Sequence, residues 1–397
     1  MLETRIAKEL VYISQAGLAR RITDLSFVNP AQAQDRTGKI YLVLASNNYL
    51  GLTHAPEVID AAREAVLKFG TGSSGSRLTT GGTFIASELE KRLADFKHSE
   101  SALVFNTGYM TNLGVLYGLL QTGDVVFSDE LNHASIIDGC RISRCKVVVY
   151  KHNDMADLQR LLETENVVGQ RFIVTDGVFS MDGDIADLPS LAVLKKNFNA
   201  FLIVDDAHGV GVIGNDGSGT AAHYGLTGVI DLQVGTLSKA LAAEGGYVAG
   251  KKIFIDYLIN RSRPFIFSTA LAPATLAAAN AALLLLQTQA QKYLDPLRTN
   301  SRLMRRLLLE GGLNVVEGST PIIPVMIGDA EIAIQFADML KTKGILVSGI
   351  RPPTVPHGAS RLRITVTAAH CEEQLRQAAQ IITTLWQELK QGEKKEG

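Results

Sequence analysis

At 397 residues the chain has room for two or three domains with an ample core. Its 39 Lys plus Arg balance 40 Asp plus Glu, and the net charge of -1 offers no polyelectrolyte field for nucleic acid or a membrane surface. Three cysteines (Cys140, Cys145, Cys371) with no Cys-x-x-Cys spacing argue against a disulfide framework, suit a reducing, cytoplasmic compartment and read as buried structural thiols.

Apolar residues at helical spacing between Met1 and Gln15, interleaved with Glu3, Arg5, Lys8 and Glu9, give a helical pattern without a signal-peptide core. A second helical pattern covers 58–69. Gly70 to Gly75 then matches G-x-G-x-x-G, but it follows a helix rather than a strand, so it lacks the context of a dinucleotide site. It reads as a close-approach loop. From 101 to 250 short apolar runs at 102–105, 125–128, 146–150, 172–175, 201–204, 232–234 and 247–249 alternate with helical patterns such as 154–165 and 189–196. Such alternation predicts an α/β fold with a mostly parallel sheet covered on both faces. After Ala270 a long helix is expected over 273–309. Its greasiest part contains Pro273, Thr275 and Asn280 and falls short of a membrane span. Runs at 322–327, 345–348 and 362–367, closed by a helix over 372–390, read as a smaller C-terminal α+β domain, and the polar tail 391–397 as frayed.

The chemistry gathers at strand ends, where open α/β sheets bind ligands. The run 201–204 leads into Asp205-Asp206-Ala207-His208, and 232–234 into Gly235-Thr236-Leu237-Ser238-Lys239. An amine hemmed in by Gly, Thr and Ser is placed for a Schiff base, so Lys239 reads as the carrier of pyridoxal phosphate. Asp205 supplies the opposite charge that holds a proton on the pyridine nitrogen, a shift of ~1–3 pKa units. His208, one short turn later, reaches the phenolic oxygen. A metal site would need further ligands at metal spacing, and none accompany these two. Asn106-Thr107-Gly108-Tyr109 opens a helix at 110–120, where unpaired amides make an anion site, so Gly108 and Tyr109 are candidates for the phosphate, with Thr236 and Ser238 as hydroxyl donors. His133, after 125–129, is placed to stack on the pyridine face. Ser180, after 172–175, is placed to donate to the phenolic oxygen beside His208.

Taken together, Ser46 to Leu52, Gly75-Ser76-Arg77, Asn132 to Ser135, Thr175 to Gly183, Asp205 to His208 and Gly235 to Lys239 resemble the α-oxoamine synthases, fold-type I pyridoxal-phosphate enzymes. The resemblance runs from about residue 10 to 385. It implies an N-terminal segment (1–50), a large cofactor-binding domain (51–285) and a small C-terminal domain (286–397). It implies Lys239 as the Schiff-base lysine, Asp205 on the pyridinium, His133 on the ring face, Ser180 and His208 on the phenolic oxygen, and Gly108, Tyr109 and Thr236 as cofactor contacts. Asn47 and Arg361 fall where the amino-acid carboxylate is held. Thr354 and Arg20, with Arg21 as a substitute, fall where the acyl group binds. The family often has a His at the place of Ala86 and a small or hydroxylated residue at the place of Val210. Within the family, Ile350 to Pro356, Arg361 to Thr365 and the Arg20-Arg21 pair imply condensation of L-alanine with a pimeloyl thioester, on CoA or an acyl carrier protein. Acetyl transfer to glycine is the sister activity that stands as the alternative. An aminotransferase and a non-catalytic partner subunit are the more distant ones. Family members are homodimers, so a homodimer is expected.

Overall fold

All seven apolar runs between Ser101 and Gly250 become strands of one sheet. The computed structural model describes residues 1–15, 18–20 and 22–396, the last five as backbone only. The strand order is Ser101–Phe105, Gly246–Gly250, Leu232–Thr236, Phe201–Asp205, Arg171–Asp176, Val125–Asp129 and Lys146–Tyr150. Gly246–Gly250 runs antiparallel to both neighbours, and the remaining pairs are parallel. Unbroken Val, Ile and Leu runs are what strands buried on two faces require. Val126, Val174, Ile203 and Val234 turn to one cluster, with Leu116 and Leu258 of the covering helices. Phe127, Ile173, Leu202 and Val204 turn to the other, with Leu158, Leu162 and Leu191. Because the strands are parallel, Phe105, Asp129, Asp176, Asp205 and Thr236 all finish at the same edge of the sheet.

The C-terminal region forms an antiparallel sheet in the order Ile322–Gly328, Ser360–Thr365, Ser348–Ile350. Its last helix, Glu372–Glu396, continues past the expected stop near 390. The tail's Glu and Lys are good helix formers, so 391–396 are helical where fraying was expected. The N-terminal segment adds Ser26–Asn29, Gln32–Gln34 and Ile40–Val43, the last pairing in parallel with Ile345–Leu346. Leu44 shares a cluster with Phe336 and Ile364. His370 reinforces this junction. Its Nδ1 accepts from the Thr367 N–H at 2.9 Å, so Nε2 carries the proton and donates to the Val43 carbonyl at 3.1 Å. Burial holds that imidazole neutral, down to about 4.

The long helix is Pro273–Glu310, with a non-helical residue at Gln289. Its side chains through Leu297 join the cluster around Tyr49 and Leu237, whereas Leu303, Met304 and Leu308 join the C-terminal one. We propose 51–285 and 286–397 as the two units, with residues 1–50 as an N-terminal segment. Gly75 does make a close approach: a Cβ there would lie 2.1 Å from Thr80 Oγ1. Ala86 and Val210 are buried in the core. Cys140 is buried and Cys145 half-buried, but Cys371, expected inside, is exposed, because it precedes the last helix with its N–H on Gln374 Oε1. Among the described residues no helix is long and apolar enough to cross a membrane.

Candidate active site

The strand ends and the loops after them enclose a cavity of about 190 Å³ whose wall includes Gly108, Tyr109, His133, Ser180, Asp205, His208, Thr236 and Lys239. All eight residues read from the sequence as cofactor contacts therefore meet in one place. Lys239 follows Leu232–Thr236 in a turn closed by the Leu237 N–H on the Gly245 carbonyl at 3.0 Å. Burial pushes its amine down, against the pull of Asp205 and Asp176, and Arg363 adds to the push. A lowered amine is more often the neutral nucleophile.

Asp205 receives the Ala207 N–H on Oδ1 at 3.0 Å and Asn112 Nδ2 on Oδ2 at 2.6 Å. Asn112 stands one turn into the helix Gly108–Leu119, and its amide also reaches Ser135 Oγ at 2.9 Å. Ser135 Oγ lies 2.7 Å from His133 Nδ1, and the Ser135 N–H donates to the same Nδ1 at 3.3 Å. An accepting Nδ1 leaves the proton on Nε2. Burial, which outweighs the attraction of Asp205, lowers the His133 pKa and favours this neutral form. A chain of hydrogen bonds thus fixes the imidazole relative to the Asp205 carboxylate.

His208 is 9% exposed, with Nδ1 2.6 Å from the Tyr49 hydroxyl. Burial drives the imidazole well below its usual value and the Tyr49 phenol up to about 12, so Tyr49 donates and His208 accepts. Thr236 Oγ1 donates to the Gly245 carbonyl at 2.9 Å and lies 2.7 Å from Ser238 Oγ. Gly108 and Tyr109 begin a helix, where amides have no intrahelical acceptor. A Cβ on Gly108 would come within 3.2 Å of Thr236 Cβ, so glycine keeps this helix start open, as an anion site there would require. The Tyr109 ring stands edge-on to His133 at 6.4 Å, its hydroxyl donating to Asp138.

The residues expected to touch substrate separate into two groups. Asn47 Oδ1 accepts from Arg363 Nη2 at 3.2 Å. Arg361, expected to hold the carboxylate, is committed elsewhere: it pairs with Asp182 and donates to the Met181 and Ala359 carbonyls. Arg361 and Arg363 lie two residues apart on the strand Ser360–Thr365 and share a face, so the pattern alone does not separate them. Arg363 is the one beside Asn47, and its charge acts on Lys239, His208 and Tyr49. Thr354 and Arg20 are exposed and do not line the cavity. Arg351 connects them: its carbonyl accepts the Thr354 N–H at 3.1 Å and its Nη2 lies 3.5 Å from the Ala19 carbonyl. Arg21 lies outside the described residues.

Tyr49, Asn112, Asp176 and Arg363 are the residues that sequence reasoning missed. Tyr49, Asp176 and Arg363 lie inside runs already singled out, whereas Asn112 sits within a helix and had no turn motif to mark it. The set suits pyridoxal phosphate: an amine, a carboxylate with two donors, a neutral imidazole face and a helix start cleared by glycine.

Comparison with known proteins agrees. The model of the family Aminotransferase class I and II matches residues 39–382. The 8-amino-7-oxononanoate synthase of Lysinibacillus sphaericus is 48% identical over 374 residues, 94% of this chain and 96% of that protein. A solved structure of SPT with a PLP internal aldimine matches with a TM-score of 0.90 at 33% identity, covering 96% of each chain. The 8-amino-7-oxononanoate synthase of Francisella tularensis matches with a TM-score of 0.75 at 30% identity, covering 87% of this chain and 98% of that one. The chain belongs to the aminotransferase class I and II family of pyridoxal-phosphate enzymes, as an α-oxoamine synthase similar to the 8-amino-7-oxononanoate synthases.

Proposed function

We propose that the protein condenses L-alanine with a pimeloyl thioester, on CoA or acyl carrier protein, releasing the carrier's free thiol, carbon dioxide and 8-amino-7-oxononanoate for biotin biosynthesis. The observation that carries this is a complete lysine–carboxylate–imidazole cavity in a chain 48% identical to such a synthase along 94% of its length.

Pyridoxal phosphate supplies an aldehyde carbon for amines and a ring that accepts the electron pair released at the amino acid Cα. The residues do the rest. Lys239 would hold the cofactor, and its buried, lowered amine is suited to take the Cα proton of the substrate. Asp205, braced by Asn112 and Ala207, keeps a proton on the ring nitrogen. His133 would cover the ring with a neutral face, and His208 and Ser180 would offer donors to the phenolic oxygen. Arg363, in place of Arg361, takes the alanine carboxylate as a fork, with Asn47 beside it. Arg20 and Thr354 meet the acyl chain, in a homodimer.

Chain length decides between this reading and acetyl transfer to glycine. Burying five methylenes at ~0.8 kcal/mol each contributes roughly 4 kcal/mol, a handle that acetyl lacks. Release of CoA across a panel of acyl thioesters, each with alanine and with glycine, tests it. Pimeloyl-CoA with L-alanine is expected to give the highest kcat/KM. Faster turnover of acetyl-CoA with glycine, or amino transfer to pyruvate without thioester cleavage, would overturn it.

A further inference from the structure

Asp176 ends the strand Arg171–Asp176 and stands in register with Asp205 at the end of the next strand. Both line the cavity, at 5% and 7% exposure, and the mechanism above leaves Asp176 without a task. Their hydrogen bonding differs. Two N–H donors converge on Asp205. Among the described residues one donor reaches the Asp176 side chain, the His133 N–H on Oδ2 at 3.1 Å. When two carboxyls share a dry site, repulsion leaves a proton on one of them, and the one with fewer donors keeps it.

We propose that Asp176 is a further functional carboxyl of this site, standing protonated beside the better hydrogen-bonded Asp205, with Oδ2 anchoring the His133 backbone and its O–H available as a donor to the cavity. This rests on the cavity being the pyridoxal phosphate site. Burial and then the Asp205 charge drive the Asp176 carboxyl well above the carboxylate range, against the His133 N–H and Lys239, with Asp129 adding to the upward push. With the buried Tyr150 phenol, which feels the Asp176 charge, those groups face it from the neighbouring strand ends, the Lys239 turn and the His133 helix start. The proton has a chemical purpose. A second ionised carboxylate would compete with Asp205 for the ring nitrogen and hold Lys239 charged; a neutral acid does neither, and it gives the cavity a donor.

The infrared carbonyl stretch of a protonated carboxyl, shifted in deuterium oxide, tests this on the holoenzyme above neutral pH. The band is expected in the wild type and absent in Asp176→Asn. Its absence from the wild type, or its persistence in the variant, would overturn the proposal. Circular dichroism checks that the variants fold. Affinity of the apoenzyme for pyridoxal phosphate is a second readout. Asparagine keeps a neutral donor, so its Kd should stay within about threefold of wild type, whereas Asp176→Ala, lacking a hydrogen bond of ~1–3 kcal/mol, should bind roughly 5- to 150-fold more weakly. Asparagine as weak as alanine would show that the charged form is required. No acyl substrate enters either measurement, so this inference and the pimeloyl reading can fail separately.

Discussion

Exchanging arginine for lysine at 363 and at 361, one at a time, tells which side chain holds the amino-acid carboxylate. Arg363 is set before substrate arrives: Nε donates to the Ser180 carbonyl, Nη1 to Thr365 Oγ1 at 3.0 Å and Nη2 to Asn47 Oδ1 at 3.2 Å. A carboxylate in that fork gains charge-assisted hydrogen bonds of ~1.5–3 kcal/mol each. Lysine keeps the charge but offers a single point of contact, so Arg363→Lys loses about one such bond, a rise of roughly 10- to 150-fold in the KM for L-alanine. The pimeloyl-CoA KM should move by less than about threefold, because the lost contact belongs to the other substrate. Arg361→Lys disturbs the pair with Asp182, whose side chain is 27% exposed. Such a partly solvated pair is worth ~1 kcal/mol or less, so the alanine KM should change by no more than about fivefold. Steady-state CoA release with alanine varied at saturating pimeloyl-CoA measures both. A larger alanine effect at 361 than at 363 would refute the assignment drawn from the Asn47 contact and restore Arg361.

Two further outcomes follow from the geometry. Lys239→Ala should abolish turnover and remove the visible band of enzyme-bound pyridoxal phosphate, and borohydride reduction of wild type should label Lys239 in a peptide map; label on another lysine would defeat the central assignment. His152 lies 3.0 Å from both Asp129 Oδ1 and Asp184 Oδ2; burial lowers its pKa, but those carboxylates outweigh burial and raise it to about 10. An unfolded histidine titrates near ~6.5, so this stabilisation is full below that pH and is lost as pH rises through about 10. The urea midpoint of wild type should therefore fall between neutrality and the alkaline side of that value, and that of His152→Gln should start lower and fall less. Parallel slopes would contradict the charged clamp.

The strands of the large sheet were legible because parallel strands buried on both faces must be apolar throughout, and each run from 102–105 to 247–249 stands between helical patterns. The cofactor side chains were legible for a related reason: strand ends are where such sheets expose chemistry, and Lys239, Asp205, His133 and His208 each follow one. What stayed hidden depends on contacts distant in sequence. Ile40–Val43 pairs locally with Gln32–Gln34, but its second partner, Ile345–Leu346, comes some three hundred residues later and no local pattern reveals it. Asn112 matters because its amide faces Ser135 and Asp205, which a helical pattern does not reveal. Arg361 and Arg363 occupy equivalent positions on one strand face. The loop carrying Ser180 and Asp182 decides between them, taking Arg361 into an ion pair and leaving Arg363 against Asn47.

Burial also explains how so many titratable groups share one cavity. It pushes Lys239 and the two histidines down and Asp176 and Tyr49 up, so each moves towards its uncharged form. Polar partners are dense around two other side chains. Two N–H donors meet Asp205, and three acceptors surround Arg363. Those two residues are also the ones whose proposed work needs a permanent charge, one holding a ring proton and the other a carboxylate. The groups proposed to move protons or to offer neutral hydrogen bonds sit where burial has removed the advantage of being charged. Water admitted to the cavity would return that advantage to Lys239, His133, His208 and Asp176 together. Exclusion of solvent is therefore as much a part of this site's chemistry as any one of its side chains.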